Sequence, residues 1–255
     1  MKTTTYLAPI ITISLISPLA FAQSLPINKN ETFTIGALAT FNDSDYATKN
    51  KVGALPLFLY DNNRLYIEGT EAGFYAYKDN KHWLCGGLTY DGRSFDPNDA
   101  TQNLQGLQRR KTSVNAHASY MYITPIGGFE LKVSTDVLNH SNGQSITVAH
   151  RSKFDLLDDK LTLYPKLGVA WHSAKYHNYY YGISVQEAAN SSTNSYTAKS
   201  GYSPFVAISA KYKLGQHLGV FAHQRIDWLS AAQKNSPLTD SNTKSTTHIG
   251  LTYQF

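Results

Sequence analysis

The stretch LTLYPKLGVAW, residues 161–171, places Leu161, Leu163, Pro165, Leu167, Val169 and Trp171 on its odd positions and Thr162, Tyr164, Lys166, Gly168 and Ala170 on its even ones. Successive side chains of a strand point to opposite faces, so a period of two over this length specifies a strand with one oily and one polar face. Nine to eleven residues, tilted by about 45°, cross a bilayer. The choice is therefore between a transmembrane barrel and a sandwich that stacks its oily faces in water.

Working outward, the same alternation recurs. It holds in 202–213, with Tyr202, Pro204, Val206, Ile208, Ala210 and Tyr212 opposite Ser203, Ser209, Lys211 and Lys213. It holds again in 218–228, where Arg225 and Asp227 lie on the polar side, and in 247–255. Upstream it appears in 33–41, 114–122, 129–137 and 145–154. Region 52–90 is less regular and divides into strands near 52–60, 64–69, 72–78 and 82–90, separated by Asp/Asn/Lys and Thr-Glu clusters. The total is twelve strands. Connectors after even strands (61–63, 79–81, 124–128, 155–160, 214–216) are brief, whereas 91–111, 174–200 and 230–244, after odd strands, are long. Short periplasmic turns alternating with long external loops are the habit of outer-membrane barrels, and a sandwich has no reason for that parity.

The ends agree. Lys2, an apolar run from Tyr6 to Leu19 and Ala20-Phe21-Ala22 have the layout of a secretory signal, which makes 1–22 a signal peptide and 23–255 the barrel domain. No later run of eighteen apolar residues exists, and the mean hydropathy of −0.34 excludes a helical membrane protein but not a barrel. Cys85 is the sole cysteine, so an exported chain forms no internal disulfide. With 16% charged residues of dispersed sign, the net charge of +5 gives no nucleic-acid footprint. Tyrosine is in excess, 18 against 11 Phe and 3 Trp, and YHNYYYGIS (176–184) concentrates it. Aromatic residues gather at membrane interfaces, so this segment is expected as an outer girdle at the top of the ninth strand, with Gly182 bending the chain. Ser184 and Glu187 have the spacing of a helix-capping box. The chain closes on Tyr253-Gln254-Phe255, which resembles the terminal signature of bacterial outer-membrane proteins. The fold expected is all-β: a transmembrane antiparallel barrel of about twelve strands in the outer membrane of a Gram-negative bacterium.

ALPLFLYDNNRLYIEG (54–69), RSFDPNDATQNLQGLQRR (93–110) and YPKLGVAWHSAKYHNYYYGISVQEA (164–188), with SPL at 236–238 and the closing TYQF, resemble the MltA-interacting protein (MipA/OmpV) family. Tyr180, Tyr181, Gly182, Ile183, Ser184, Glu187 and Ala188 match its most specific motif. The resemblance implies an outer-membrane barrel without enzymatic activity or cofactor, a scaffold whose partners are a murein-lytic transglycosylase and a bifunctional peptidoglycan synthase. Other members resemble adhesins or porin-like proteins, so a passive channel and an adhesin stay open as alternatives. The motif residues Tyr180, Tyr181, Gly182, Ser184 and Glu187 are the candidates for a binding rim.

NHSNGQ (139–144) tempts a lipid-hydrolase reading, because His activates a Ser nucleophile in such enzymes. Adjacent His140 and Ser141 on a strand point opposite ways, and Asn142-Gly143 reads as a two-residue hairpin turn between strands ending near Leu138 and starting near Ser145. His172-Ser173 has the same spacing. The nine histidines show no metal-ligand spacing, and His172 and His177 read as surface scatter. On the polar face Lys132, Asp136, Arg151, Lys153, Lys166, Lys211, Lys213, Arg225 and Asp227 form the expected lumen charge network, with Lys211 or Lys213 completing an Arg225–Asp227 set. The periplasmic turns Thr124–Gly128 and Asp155–Lys160 are the expected partner surface.

Overall fold

A backbone that crosses hydrocarbon must satisfy every N–H and C=O internally, and a β-sheet does so only by closing on itself. The computed structural model, which describes residues 31–48 and 51–255, shows that closure; the signal-peptide reading lies outside the described residues. The strands are β1 (Thr32–Asp43), β2 (Lys51–Asp61), β3 (Leu65–Glu68), β4 (Glu71–Lys78), β5 (His82–Tyr90), β6 (Val114–Thr124), β7 (Gly127–Asp136), β8 (Gln144–Arg151), β9 (Phe154–Leu156), β10 (Leu161–His172), β11 (Gly201–Lys213), β12 (Leu218–Trp228) and β13 (Thr243–Gln254). Each pairs antiparallel with its neighbours, and β13 returns to β1 from Thr34↔Gln254 to Asp43↔Ser245. β8 and β9 both pair with β10 and are two halves of one stave, so the barrel has twelve staves, as the periodicity predicts.

Strand prolines mark where the ladder is interrupted, since proline has no N–H to donate. Pro165 faces the Ser152-Lys153 break between β8 and β9, where the Ser152 N–H donates to its carbonyl at 3.0 Å. Pro204 pairs with Val169 on one side, while pairing with β12 begins only at Phe205. Pro56 lies on β2, whose pairing with β3 covers only Leu59–Asp61.

The lipid-facing side chains Leu88, Leu131, Val148, Leu167, Ile208 and Leu251 are all exposed. This is an oily band that water would not tolerate and acyl chains cover. Aromatic residues cluster at strand ends: Phe33, Tyr60, Tyr122, Phe129, Tyr212 and Tyr253 at the short-turn rim, and Phe41, Tyr90, Trp171, Tyr202 and Trp228 at the long-loop rim. The girdle exists, but YHNYYYGIS is not in it. Ala174–Tyr181 is a helix, α1, with Tyr180 and Tyr181 at 0% exposure.

Inside, ion pairs line the lumen, and Glu71, Glu130 and Asp155 are acids that the sequence reading passed over. Glu71 accepts from Lys132 Nζ at 2.5 Å and from Tyr66 Oη at 2.9 Å, and Glu130 accepts from Lys166 Nζ at 2.7 Å. Lys153 meets Asp155 at 2.6 Å, and Arg151 approaches Glu68, carried by a different part of the wall, at 3.8 Å. Arg225 binds Asp227 through two contacts of 2.8 and 2.6 Å and lies over the Phe205 ring at 3.8 Å. Lys211 does not complete that set: it stands opposite Phe221, four positions along β12 from Arg225, and its ammonium is 5.8 Å from the Tyr164 ring centroid. Asp136, the last residue of β7, turns its carboxylate to the following loop instead.

The seam tolerates no added bulk. A Cβ on Gly250 would stand 1.9 Å from the Ala37 carbonyl oxygen, whereas one on Gly215, in a turn, would meet nothing. Gly250→Leu is expected to prevent closure or to destabilise it by about 1–3 kcal/mol or more, read as loss of the fast-migrating folded band on unheated gels, while Gly215→Ala migrates as wild type.

Candidate functional site

The outer loops carry the chain's main buried apolar cluster. Tyr46 of the first loop, Phe95, Leu104 and Leu107 of the third, Tyr176, Tyr180, Tyr181, Ile183 and Ala198 of the fifth and Leu238 of the sixth pack into one core above the barrel mouth. Two further helices belong to this cap, α2 (Val185–Ala189) and α3 (Ala231–Lys234). Local sequence starts each helix. The Ser173 hydroxyl accepts from the Tyr176 N–H at the head of α1, and the Ser184–Glu187 capping box opens α2 as its spacing predicts. The loops are stitched by backbone bonds from Ala47 N to Leu238 O (2.8 Å), Thr101 N to Ala47 O (3.2 Å) and Ile183 N to Tyr196 O (2.8 Å).

Two buried cations hold the cap. Arg93 donates to Asp45 at 2.5 Å, to the Tyr176 hydroxyl at 3.3 Å and to the Tyr181 hydroxyl, which itself donates to Asp45. Gln233 then donates to Tyr181 Oη at 2.9 Å and accepts from Ser203 Oγ at 2.7 Å, tying the network to β11. Burial alone would lower the Arg93 pKa, but the Asp45 charge holds it well above its ordinary value. Arg110 donates to Glu187 Oε1 at 2.6 Å and to the Gly182 carbonyl at 3.0 Å, and the Gln108 N–H reaches the same carboxylate at 3.1 Å. Burial opposes ionisation of Glu187, yet the bonds from Ser184 and Arg110 keep its pKa below the usual carboxylate range. Burial raises the phenol pKa values of Tyr46, Tyr176 and Tyr180.

The five motif residues therefore come together, though two of them inside rather than on a rim. Tyr180 and Tyr181 are cap core, whereas Gly182, Ser184 and Glu187 line an outer cleft of about 460 Å³ with Arg109, Arg110, Tyr179 and Tyr196. Arg93, Asp45 and Arg110 were missed as site residues. RSFDPND and QGLQRR carry two of them, and nothing in a loop sequence announces that its arginine turns inward. His172 and His177 are not surface scatter. Their rings sit 5.5 Å apart, and His177 is fully buried with Nδ1 bonded to the Lys199 carbonyl at 2.7 Å.

His140 and Ser141 form no catalytic pair. His140 Nδ1 meets the Thr112 carbonyl at 2.7 Å, while Ser141 donates through N–H (2.6 Å) and hydroxyl (3.1 Å) to Asp136, which also accepts from Asn142 N at 2.9 Å and from Ser113. The connector is not a two-residue Asn-Gly turn. It runs over 137–143, wraps the Asp136 carboxylate, and places Asn139 and Asn142 at positive φ. The acid takes over the backbone N–H groups that a tight turn would have paired across the strands.

Residues 35–255 match the family model described as MltA-interacting protein MipA. YiaT of Escherichia coli (strain K12), described as an outer membrane protein, is 30% identical, with 87% of this chain and 90% of the relative covered. The MltA-interacting protein of the same strain is 28% identical over 83% and 84%. The 24 kDa outer membrane protein of Pasteurella multocida (strain Pm70) is 24% identical over 91% and 93%. With a closed barrel of this type, the location is the outer membrane.

Two outcomes test the cap. Glu187→Gln leaves the buried Arg110 charge unpaired, at a cost of about 3–5 kcal/mol, and is expected to open the external loops to trypsin on intact cells while the strands resist. Tyr180→Phe, which removes a buried hydroxyl without a hydrogen-bond partner among the described residues, leaves them protected. Acid acts in the same direction. Burial, with the nearby Arg93 charge adding to it, lowers the His177 pKa from 6.5 to about 4. The unfolded cap therefore binds the proton first, and the stability from neutral His177, present above pH 6.5, drains away as pH falls toward 4. Loop proteolysis is expected to accelerate across that window, and less so in His177→Gln.

Proposed function

We propose, from the premise that the chain belongs to the MltA-interacting protein MipA family, that it works without chemistry as an outer-membrane scaffold for murein-remodelling enzymes. The observation that carries this reading is the cap: the long loops build a tyrosine-rich core over the outer mouth, and ion pairs brace the lumen beneath it. Such a build suits a rigid post better than a conduit. The His140–Ser141 geometry favours structure over hydrolysis.

The partner face is then the periplasmic rim. Two successive turns there, β6–β7 and β9–β10, present apolar residues to solvent, Ile126 at 61% and Leu157 at 63% exposure. The Ile126 carbonyl is pinned by Ser152 Oγ at 3.0 Å and by His150 Nε2 at 3.1 Å. Leu157, Asp158 and Asp159 all take left-handed φ, and for a branched residue such as Leu157 that conformation is costly. A lytic transglycosylase and a peptidoglycan synthase are the partner class that the family name and the earlier resemblance suggest.

Immobilised barrel, offered purified lytic transglycosylase and synthase, is expected to retain at least one. Ile126→Asp with Leu157→Asp is expected to cut retention by about a hundredfold or more, the loss of two apolar anchors at about 1.5–3 kcal/mol each. Failure to retain either enzyme, together with steady single-channel currents in planar bilayers, would overturn the scaffold in favour of a channel.

A further inference from the structure

The wall of the barrel has a window in its outer half. β2 is paired with β1 along its length, from Asn42↔Lys51 to Thr32↔Asp61, but β3 covers only Leu59–Asp61. The chain turns at Gly69 and Thr70, with Gly69 N bonded to Phe58 O, and descends as β4. Among the described residues nothing pairs with the free edge of β2 between Lys51 and Leu57. Tyr90 and the following Asp91–Arg93 segment form the far side. Overhead, the Asp45–Arg93 ion pair and the Thr48↔Ala100 bridge join the first and third loops.

The opening stands at a definite depth. A strand tilted by about 40° climbs roughly 2.5 Å per residue. The sill at the top of the four-residue β3 therefore lies about 10 Å above that strand's foot, and β2 continues to about 25 Å, the full height of the apolar band. The gap is two strands, or roughly 10 Å, wide. It faces the outer leaflet, where an unpaired strand edge is not tolerated against alkane. Pro56 removes one of its donors, and the remaining groups need a partner or water from within.

The lumen face beside the window is apolar. Most inward positions of the wall are polar, with Met121, Ile123 and Phe205 among the exceptions, and β2 is apolar on both faces: Ala54, Pro56 and Phe58 point to lipid, and Leu55 and Leu57 point inward beside Leu38 of β1. Leu55 is 45% exposed although it faces inward. Cations are in surplus around the same space. Glu71, Glu130 and Asp155 are each engaged by a lysine at 2.5–2.7 Å, but Arg151 has only Glu68 at 3.8 Å, at the sill, and Lys211 has no ion pair among the described residues.

We infer that this window admits a single-chain amphiphile with a carboxylate head, a long-chain fatty acid, from the outer leaflet, seating its tail along Leu38, Leu55 and Leu57 and its head against Arg151. The tail replaces water on the apolar lumen strip, and the head meets the one guanidinium of the network whose own carboxylate is distant and solvent-exposed. No bond is made or broken. The reading is independent of the scaffold role, which uses the opposite rim.

The test is photolabelling of the whole barrel in liposomes with a diazirine-bearing palmitic acid, competed by unlabelled palmitate. Label is expected in peptides covering β2 and the β3–β4 turn. Leu55→Trp, which fills the tail seat, and Arg151→Gln, which removes one charge-assisted hydrogen bond, are each expected to reduce the competed label by about tenfold. Val169→Trp, on the lipid face of β10, leaves it unchanged. Each variant is first required to show the folded band on unheated gels. Label spread evenly over the lipid-facing strands, or β2 label unchanged in both variants, would overturn the inference. So would cross-links showing that residues 23–30 of the chain themselves occupy the β2 edge.

Discussion

The constraint on which everything else depends is that a peptide group in hydrocarbon has no water to fall back on. Each unsatisfied N–H or C=O costs several kcal/mol there, so the strands must pair in a ring, and β13 must find β1. The two-residue period follows from the same ring, since a closed sheet has an outside and an inside. The outside dissolves in acyl chains. The inside must satisfy whatever polar groups face it, and it does so by pairing Lys132 with Glu71, Lys166 with Glu130, and Arg225 with Asp227. Where the ring is relaxed, at Pro56, Pro165 and Pro204, the chain has put the residue that lacks a donor.

A barrel braced by ion pairs still has an open top, and the second design element answers that. The external loops supply a small soluble core of their own, built from aromatic rings, most of whose buried polar tips find a partner, Tyr180 being the exception among the described residues. Tyr181 illustrates the solution: its ring packs 5.4 Å from Tyr46 while its hydroxyl bonds with Arg93, Asp45 and Gln233. Charged residues as deep as Arg93 and Arg110 tolerate burial only because carboxylates from other loops meet them. These pairs link segments remote in sequence, so the cap is specified by its charges as much as by its apolar surface.

The barrel was largely legible in the sequence because its determinants are local. A period of two, a turn cluster and the parity of connector lengths each need only a few neighbouring residues, and they placed every stave to within a few positions. The cap was not legible, and YHNYYYGIS shows why. A run of tyrosines satisfies both a membrane interface and a wet-tipped core. The difference lies in whether Arg93 and Asp45, 83 or more positions away, are present to meet the hydroxyls. Ser184 and Glu187 were readable because a capping box is local. The acids of the lumen were half-readable: Glu130 shares a face with Lys132 by simple alternation, whereas the Glu71 carboxylate reaches Lys132 only through the curvature of the closed sheet. Asp136 looked like a lumen charge because alternation points it inward, but it sits at a strand end where seven loop residues close around it.

Hydrogen–deuterium exchange of the folded chain in bilayers tests the central claim, a ring of paired strands under a self-built cap, most directly. Slow exchange is predicted for the paired strands and equally for α1, Ala174–Tyr181, with the periplasmic turns and the free edge of β2 exchanging fast. Protected strands with an α1 that exchanges as freely as the turns would show that the loops do not form a core, and the account of the outer mouth would fail.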